Sequence, residues 1–215
     1  IPYTPPFYKK LSPTIVQIHS NYYKNPEQLQ KGNTLVVGAG DSGFQILDEI
    51  SALGQQTYFS GATNVKVLPQ EFLGKTLWWW FSKTGFLNFS KDSWIGEKIN
   101  KSRQPIIGTD VKEILSRRNV EAVGKTIDAE DQIIYTEKKE LTDISNIIWA
   151  TGYRPNFSWI EGLELTKEGY PKHKRGISNT KGLYFIGLPW LHTRGSATLG
   201  GIKNDAKYLI DFIEN

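Results

Sequence analysis

The clearest pattern of apolar and polar positions lies within residues 33–53. An apolar run at 34–37 leads directly into Gly38-x-Gly40-x-x-Gly43. Apolar residues then recur every three or four positions, as they do on the buried face of a helix. The order of strand, glycine turn and helix predicts the start of a βαβ unit with parallel strands.

The same periodicities predict further elements along the chain. The predicted strands cover residues 15–19, 57–59, 121–127, 132–136, 146–150 and 183–186. The predicted helices cover residues 109–118, with Thr109 as N-cap, and 202–213. We expect the last helix to bury an apolar face formed by Ile202, Ala206, Leu209, Ile210 and Ile213. Residues 128–131, three of them acidic, are expected to form a solvated hairpin turn rather than a catalytic pair.

An aromatic run, Trp78-Trp79-Trp80-Phe81, follows the predicted βαβ unit. It is too apolar to be freely solvated and far too short to cross a membrane. We interpret it as a buried helix turn or an inter-domain contact. A substrate wall or a subunit interface is the alternative interpretation.

Composition narrows the classes of protein. Of 215 residues, 39% are apolar and 22% charged, which is typical of a globular protein without a membrane span. There is no Cys, and the three His are scattered, so neither a disulfide reductase nor a metal site is expected. The net charge of +4 suits an anionic small ligand and does not indicate nucleic acid. No signal-peptide pattern is present, so a cytoplasmic location is expected.

The glycine loop has the chemistry of a dinucleotide site. Gly38 permits a tight turn, Gly40 permits close approach of a pyrophosphate, and Gly43 permits close packing of the helix on the strand. Asp41 and Ser42 lie in the first helical turn, where free N–H groups and the positive end of the helix dipole favour phosphate. An ordinary glycine-rich turn is the alternative interpretation.

The end of the second predicted strand bears on the choice of cofactor. An NAD site usually places an acidic residue about 20 residues beyond the loop, on the ribose 2′-hydroxyl. Here residues 60–64 contain no acid, Ser60 is the first of them, and Lys66 is the nearest cation. A 2′-phosphate would meet no repulsion, so the sequence favours NADP over NAD.

Four motifs in order then resemble one family. They are GAGDSG, LPQEFLGKTLWWWFSKTGFL, WATGYRPNFSWI and GLYFIGLPWLHTRGSATLGG. Together they resemble the flavin-containing monooxygenase-like oxidoreductases, in particular the CzcO-type branch. The resemblance implies an α/β fold: a Rossmann-like dinucleotide-binding domain of the three-layer FAD/NAD(P) type, a small β-meander and a returning segment of the FAD domain.

The resemblance also implies a division of the chain. Residues 1–31 would connect from the FAD domain, residues 32–150 would bind NAD(P)H, and residues 151–215 would form the C-terminal half of the FAD domain. The glycine loop matches the second, NADPH-binding loop of the family. The segment Ala150-Thr151-Gly152 matches the place where the chain crosses back.

The returning segment carries the remaining candidate residues, again by resemblance. Gly187, Ala197 and Thr198 match its FAD-binding part, and a helix beginning near Ala197 would face the flavin ring. His192 and Arg194 are candidate catalytic residues near that ring. A purely structural role for Arg194, holding the returning segment, is equally open.

The implied activity is that of a monooxygenase. NADPH would pass a hydride to FAD, and the reduced flavin would use O2 to oxygenate a small organic substrate. A stand-alone NADP(H)-binding module without catalysis is the alternative, and a homodimer is left open.

The sequence departs from the family pattern at two places. No GxGxxG precedes Gly38, and the chain begins at Ile1 without any Met, so we expect the first FAD loop to lie upstream and this chain alone to be inactive. In addition, Ala62 stands where the family often has an Arg that grips the 2′-phosphate. The preference for NADP therefore depends on Lys66 and its neighbours.

Overall fold

The computed structural model describes residues 1–214. The chain forms two compact units. The first comprises Ile1–Pro69 and Gln104–Arg154, and the second comprises Gln70–Arg103 and the chain from Pro155 onward. Residues 70–103 thus group with the C-terminal part, whereas the predicted NAD(P)H-binding part, residues 32–150, includes them. The functional division of the chain stays a prediction.

Short strands and helices alternate along the chain. The strands are β1 (Val16–His19), β2 (Asn33–Val37), β3 (Thr57–Ser60), β4 (Val67–Leu68), β5 (Glu71–Phe72), β6 (Lys75–Thr76), β7 (Ile106–Ile107), β8 (Val120–Gly124), β9 (Thr126–Glu130), β10 (Ile133–Thr136), β11 (Glu140–Leu141), β12 (Ile144–Trp149), β13 (His173–Lys174) and β14 (Ile177–Ser178). The α-helices are α1 (Asp41–Ala52), α2 (Leu77–Lys83), α3 (Trp94–Lys101), α4 (Val111–Ser116) and α5 (Ile202–Ile213). Short 3-10 helices cover Pro6–Lys10, Pro26–Gln28 and Phe86–Asn88.

A five-stranded parallel sheet forms the centre of the first unit. Its strand order is β1-β12-β2-β3-β8. Leu35 of β2 lies opposite Ile147 on one side and Tyr58 on the other. Since all five strands run the same way, their carboxyl ends meet at one edge of the sheet.

The two faces of this sheet are covered differently. Side chains alternate along β2, so Leu35 packs towards the antiparallel β9-β10-β11 meander and Val36 towards helices α1 and α4. On the helical side, Phe44 of α1 meets Phe59 of β3 with ring centroids 4.8 Å apart. The result is a layer of strands, a parallel sheet and a layer of helices, which confirms the predicted α/β fold class.

The predicted strand 121–127 and the predicted turn 128–131 are both wrong in detail. Gly124, at φ +78°, breaks the strand and sends its second half into the meander as β9. Asp128 lies within β9 and binds Lys10 at 2.9 Å, which lowers the pKa of its carboxyl. The turn is centred instead on Asp131, which adopts φ +51°.

Helix α4 begins one residue later than predicted. Its N-cap is Asp110 rather than Thr109, because the Asp110 carboxylate accepts the N–H of Glu113 at 3.0 Å. The helix ends at Ser116, and Arg117 then turns back to donate to the carboxylates of Asp48 at 2.6 Å and Glu113 at 2.8 Å. This ion pair fastens α4 to α1.

In the second unit, α5 has the predicted bounds but only part of the predicted buried face. Leu209 is buried, whereas Ile210 and Ile213 are more than half exposed, and Asp205 is buried instead. The predicted strand 183–186 is wrong: only Tyr184 forms a bridge, to Ile177.

Two further findings concern helices: one is specific to α2, and the other applies to every described helix of the chain. The aromatic run does form a helix, α2, but its tryptophans are not buried, so that part of the interpretation is wrong. Among all helices described for this chain, none has the length and apolar character needed to cross a membrane.

Candidate functional site

The glycine loop lies at the carboxyl edge of the parallel sheet. It leaves β2 at Val37, and the N–H of Gly38 donates to the carbonyl oxygen of Ser60 at the end of β3 (2.8 Å). On the other side, the N–H of Ala150, which follows β12, donates to the carbonyl oxygen of Val37 (2.8 Å). The loop is thus flanked by the ends of both neighbouring strands, where open α/β sheets bind their ligands.

The three glycines of the loop have different surroundings. Gly38 has φ +128°, and a Cβ there would lie 2.1 Å from the carbonyl oxygen of Ala150. A Cβ on Gly43 would lie 2.0 Å from the carbonyl oxygen of Gly38. A Cβ on Gly40 would meet nothing within 4 Å. Gly38 and Gly43 are therefore required by the fold, whereas Gly40 leaves open a space that a side chain would fill.

The beginning of α1 supplies hydrogen-bond donors beside that space. The helix has 12 residues, with Gly40 as N-cap, and its first internal bond runs from the N–H of Phe44 to the carbonyl oxygen of Gly40 (3.1 Å). The N–H groups of Asp41, Ser42 and Gly43 accordingly have no acceptor within the helix. The carboxylate of Asp41 accepts the N–H of Ile107 at 3.2 Å. Donors, helix dipole and open space together fit a pyrophosphate.

The residues after β3 have structural tasks that the sequence pattern does not reveal. Ser60 is 2% exposed, and its hydroxyl accepts both the N–H and the Oγ1–H of Thr126 at 2.8 Å. Its side chain thus holds β9 to β3 rather than facing solvent. Gly61 allows a close approach, because a Cβ there would lie 2.9 Å from the Cβ of Ala39 in the glycine loop. No motif in the sequence marks Gly61 as part of the site; the one signal is that it directly follows the end of β3.

Lys66 lies at the start of a small two-stranded parallel sheet formed by β4 and β7. Its carbonyl oxygen accepts the N–H of Ile106 at 2.8 Å, and the residue is exposed. The backbone at this position is therefore fixed, while the ammonium group extends into solvent.

The segment after β12 contacts the glycine loop and also binds the first residues of the chain. Ala150 touches the loop at Gly38, as described above. The hydroxyl of Thr151 donates to the carbonyl oxygen of Tyr3. The carbonyl oxygen of Gly152 accepts the N–H of Tyr3 and a ring nitrogen of His19, both at 3.0 Å. The structure therefore brings the Gly38 loop and Ala150 together. Thr151 and Gly152 instead hold the segment to Tyr3 by hydrogen bonds.

His19, at the end of β1, is a packed residue with both ring nitrogens engaged. It is 6% exposed, and its Nδ1 accepts the N–H of Asn21 at 3.0 Å. Nε2 must then carry the proton and donate to Gly152. The ring also meets the edge of Tyr153 at 5.4 Å. His19 is therefore a structural residue of the first unit.

We expect His19→Ala to lower the free energy of unfolding by about 2 kcal/mol, since the change removes a packed ring together with its hydrogen bonds to Asn21 and Gly152. Urea denaturation followed by circular dichroism measures this loss. His19→Gln, which can still donate to Gly152, serves as the matched variant and should recover part of the loss. Equal stability of His19→Ala and the unchanged chain would contradict the assignment.

The candidate residues of the second unit lie on a segment held against residues 87–91. The N–H groups of Gly195, Arg194 and Lys91 donate to the carbonyl oxygens of Leu87, Phe89 and His192 at 2.8, 3.0 and 2.9 Å. The fully buried hydroxyl of Ser196 accepts the N–H groups of His192 at 3.1 Å and Thr193 at 2.9 Å. The backbone around His192 and Arg194 is thus firmly placed.

His192 and Arg194 differ in what surrounds their side chains. His192 lines a cavity of about 450 Å³. The other lining residues are Asn88, Arg175, Thr193, Asn204, Lys207, Tyr208 and Asp211. Burial, and then the charge of Arg175, lowers the pKa of His192, so its ring is neutral at pH 7. The Arg194 guanidinium lies 5.8 Å from the ring centre of Trp190.

The expected helix start near Ala197 is wrong, because α5 begins at Ile202. The preceding residues form turns in which the hydroxyl of Thr198 donates to the carbonyl oxygen of Gly195 (2.7 Å) and Ala197 is exposed. A Cβ on Gly201 would lie only 2.2 Å from that same carbonyl oxygen, so the turn packs tightly onto the helix start.

Gly187 adopts φ +77° outside any strand. It therefore lies at a turn that a residue with a side chain would strain.

Known proteins are similar to this chain over its whole length. No protein-family model matches it. A CzcO-like oxidoreductase of Geobacillus kaustophilus is 41% identical over 215 residues, covering 100% of this chain and 62% of the relative. The CzcO oxidoreductase of Bacillus subtilis is 40% identical over 211 residues, covering 97% of this chain and 61% of the relative. The chain therefore spans about three fifths of the length of these relatives.

Solved structures agree in fold. A mutant flavin monooxygenase from Stenotrophomonas maltophilia superposes with a TM-score of 0.71 at 21% identity, covering 99% of this chain and 59% of that protein. An ornithine N-hydroxylase from a Kutzneria species, solved with reduced FAD, NADP+ and L-ornithine, gives a TM-score of 0.64 at 14% identity, with coverage of 100% and 61%.

Proposed function

Since the chain belongs to the CzcO-type flavin monooxygenase family, we propose that it provides the NADP(H) site, and part of the FAD site, of an NADPH-dependent monooxygenase. The single observation that carries this proposal is the open space at Gly40, beside the free N–H groups at the start of α1. When bound, NADPH would supply the hydride, and FAD would supply the chemistry for oxygenating a small organic substrate with O2.

In this proposal the residues of the chain bind the cofactors and orient them. The N–H groups of Asp41, Ser42 and Gly43 hold the pyrophosphate, and Gly38 with Ala150 keeps the loop in the required shape. In the second unit, the segment with Gly187, Ala197 and Thr198 contributes to the FAD site.

His192 and Arg194 are the proposed polar groups of that second-unit site. Because the imidazole of His192 is neutral at pH 7, it would contribute a hydrogen bond rather than a charge. Arg194 would contribute a permanent positive charge.

The test is a titration of NADPH into the longest expressed form of the protein, with this chain alone in parallel, while flavin absorbance is recorded without O2. We expect both forms to bind NADPH and the longer form to lose flavin absorbance. A second candidate function is an NADP(H)-binding module without catalysis. Binding of NADPH by both forms with no flavin reduction in either would support that alternative.

Lys66 is the proposed partner of the 2′-phosphate. Residues 60–64 contain no acid to repel it, and the exposed ammonium of Lys66 follows on a fixed backbone. We expect Lys66→Ala to weaken NADPH about five- to tenfold, the size of one charge-assisted contact, and to leave NADH nearly unchanged. Isothermal titration with both cofactors measures this difference.

The matched control is Lys112→Ala, which removes an exposed lysine on α4. It should change neither affinity. Equal losses of NADPH and NADH affinity in Lys66→Ala would remove Lys66 from the 2′-phosphate role.

A further inference from the structure

The hairpin of β5 and β6 and the helix α2 that follows present large apolar side chains to solvent. Phe72 is 54% exposed, Leu73 at the hairpin tip 74%, and Trp78 and Trp79 of α2 49% and 39%. These four residues are called the hairpin–helix surface below. They lie within eight consecutive positions, on the hairpin and on the first turn of the helix that follows it.

The hairpin–helix surface is held in a fixed shape. The indole N–H of Trp80 donates to the carbonyl oxygen of Phe72 at 2.8 Å, and the two rings lie 6.2 Å apart. The hydroxyl of Thr76 caps α2 by accepting the N–H of Trp79 at 3.2 Å. Trp80 therefore joins the hairpin to the helix, and the apolar side chains are presented by ordered elements.

The hairpin tip places a leucine where the backbone disfavours it. Leu73 has φ +50°, a left-handed conformation that few residues other than glycine adopt readily. A glycine would relieve this conformational cost, and a side chain that is 74% exposed contributes little to the core. Folding alone therefore does not explain a leucine at this position.

Positive charge accompanies the apolar side chains. The ammonium of Lys75 lies 5.8 Å from the ring centre of Trp79. Lys83 follows Trp79 by four positions on α2, so both residues lie on the same side of the helix. The hairpin also carries one acidic residue, Glu71 of β5. Tryptophans with flanking lysines have the chemistry of an anionic lipid interface, where indole rings lie at headgroup level and each lysine adds electrostatic attraction.

We propose that the hairpin–helix surface inserts into the surface of an anionic lipid membrane. A second copy of the chain is disfavoured as the occupant, because four side chains fall far short of the roughly 20–30 residues that each partner contributes to a stable protein interface.

The test is co-sedimentation of the full chain with sucrose-loaded vesicles at low salt. One set consists of phosphatidylcholine alone, and the other contains phosphatidylglycerol in addition. We expect partitioning at least fivefold stronger onto the anionic vesicles, since two lysines act on them. This proposal does not depend on the proposed activity, because no cofactor is present in the assay.

Variants separate the apolar from the electrostatic contribution. Leu73→Gly suits the backbone of the tip and should fold normally, and together with Trp78→Ser it should lower partitioning about tenfold or more. Lys75→Gln should lower it about fivefold on anionic vesicles only. The matched control is Trp159→Ser, which removes a tryptophan that is 75% exposed elsewhere in the same unit and should leave partitioning unchanged.

Three outcomes would overturn the proposal. The first is no partitioning of the unchanged chain onto either vesicle type. The second is an equal loss with Trp159→Ser and with the Leu73 and Trp78 variants. The third is a dimer in light scattering that the variants at Leu73 and Trp78 convert to monomer, which would identify a second copy as the occupant.

Discussion

Replacing Gly40 with alanine is expected to abolish NADP(H) binding while leaving the stability of the chain unchanged. The backbone of Gly40, at φ −96° and ψ −179°, suits any residue, and a Cβ there meets no protein atom within 4 Å. The free energy of unfolding should therefore change by less than about 0.5 kcal/mol. The added methyl group would occupy the space proposed for the pyrophosphate.

The expected loss of affinity is large because the phosphates would lose several donors at once. Hydrogen bonds to charged groups contribute about 1.5–3 kcal/mol each, so displacement from two of them raises the Kd by about a hundredfold or more. Isothermal titration with NADPH and a thermal melt without ligand measure the two effects separately. A Gly40→Ala variant that binds NADPH as the unchanged chain does would remove the loop from the dinucleotide site.

Gly43→Ala is the matched control. It makes the same chemical change three residues later, but its Cβ would lie 2.0 Å from the carbonyl oxygen of Gly38. The helix must then move away from the loop, and we expect a loss of about 3 kcal/mol or more in stability together with the loss of binding. The contrast between the two variants distinguishes a ligand-facing glycine from a fold-required one.

The second large effect is expected at Arg175. Asp205 is only 1% exposed, and the Nε of Arg175 lies 3.5 Å from its Oδ1, with the guanidinium 4.1 Å from the ring centre of Tyr208. Arg175→Met would leave a buried carboxylate without its counter-charge, which costs about 3–5 kcal/mol. The cost should appear as a lower urea midpoint of the second unit.

Tryptophan fluorescence follows this unit selectively. Trp149 is the one tryptophan in the first unit, which leaves six of the seven in the second. The added change Asp205→Asn removes the buried charge and should recover a large part of the loss, so the double variant should be more stable than Arg175→Met alone. If Arg175→Met alone were as stable as the unchanged chain, the pair would not be holding this unit together.

The elements predicted well are those whose signals are local. The apolar run, the glycines and the helical spacing of residues 33–53 all lie within one short stretch, and β2, the loop and α1 form as expected. The bounds of α5 follow for the same reason. The prediction fails where a single residue decides: Gly124 breaks a strand that the apolar pattern continues, and the side chain of Asp110 caps α4 in place of Thr109.

The sequence predicts the hydrogen-bond donors at the start of α1, but it does not predict the residues that hold the loop in place. The spacing of the loop glycines is enough to predict their role. Gly61, in contrast, is important only because Ala39 of the glycine loop approaches it closely. The tie between His19 and Gly152 joins residues 133 positions apart, and nothing near either residue signals the other. The apolar character of α2 was evident from its tryptophans, but periodicity over seven residues could not tell whether they face protein or solvent.

The place of β12 in the sheet has a consequence for how the chain folds as it is made. β12 lies between β1 and β2, although it follows both by more than a hundred residues. During synthesis from the N-terminus, Leu35 and Val36 belong to a strand with one open edge until Trp149 has emerged. Such long-range closure makes folding slow, and we expect a nascent chain truncated before β12 to be captured by chaperones or to aggregate.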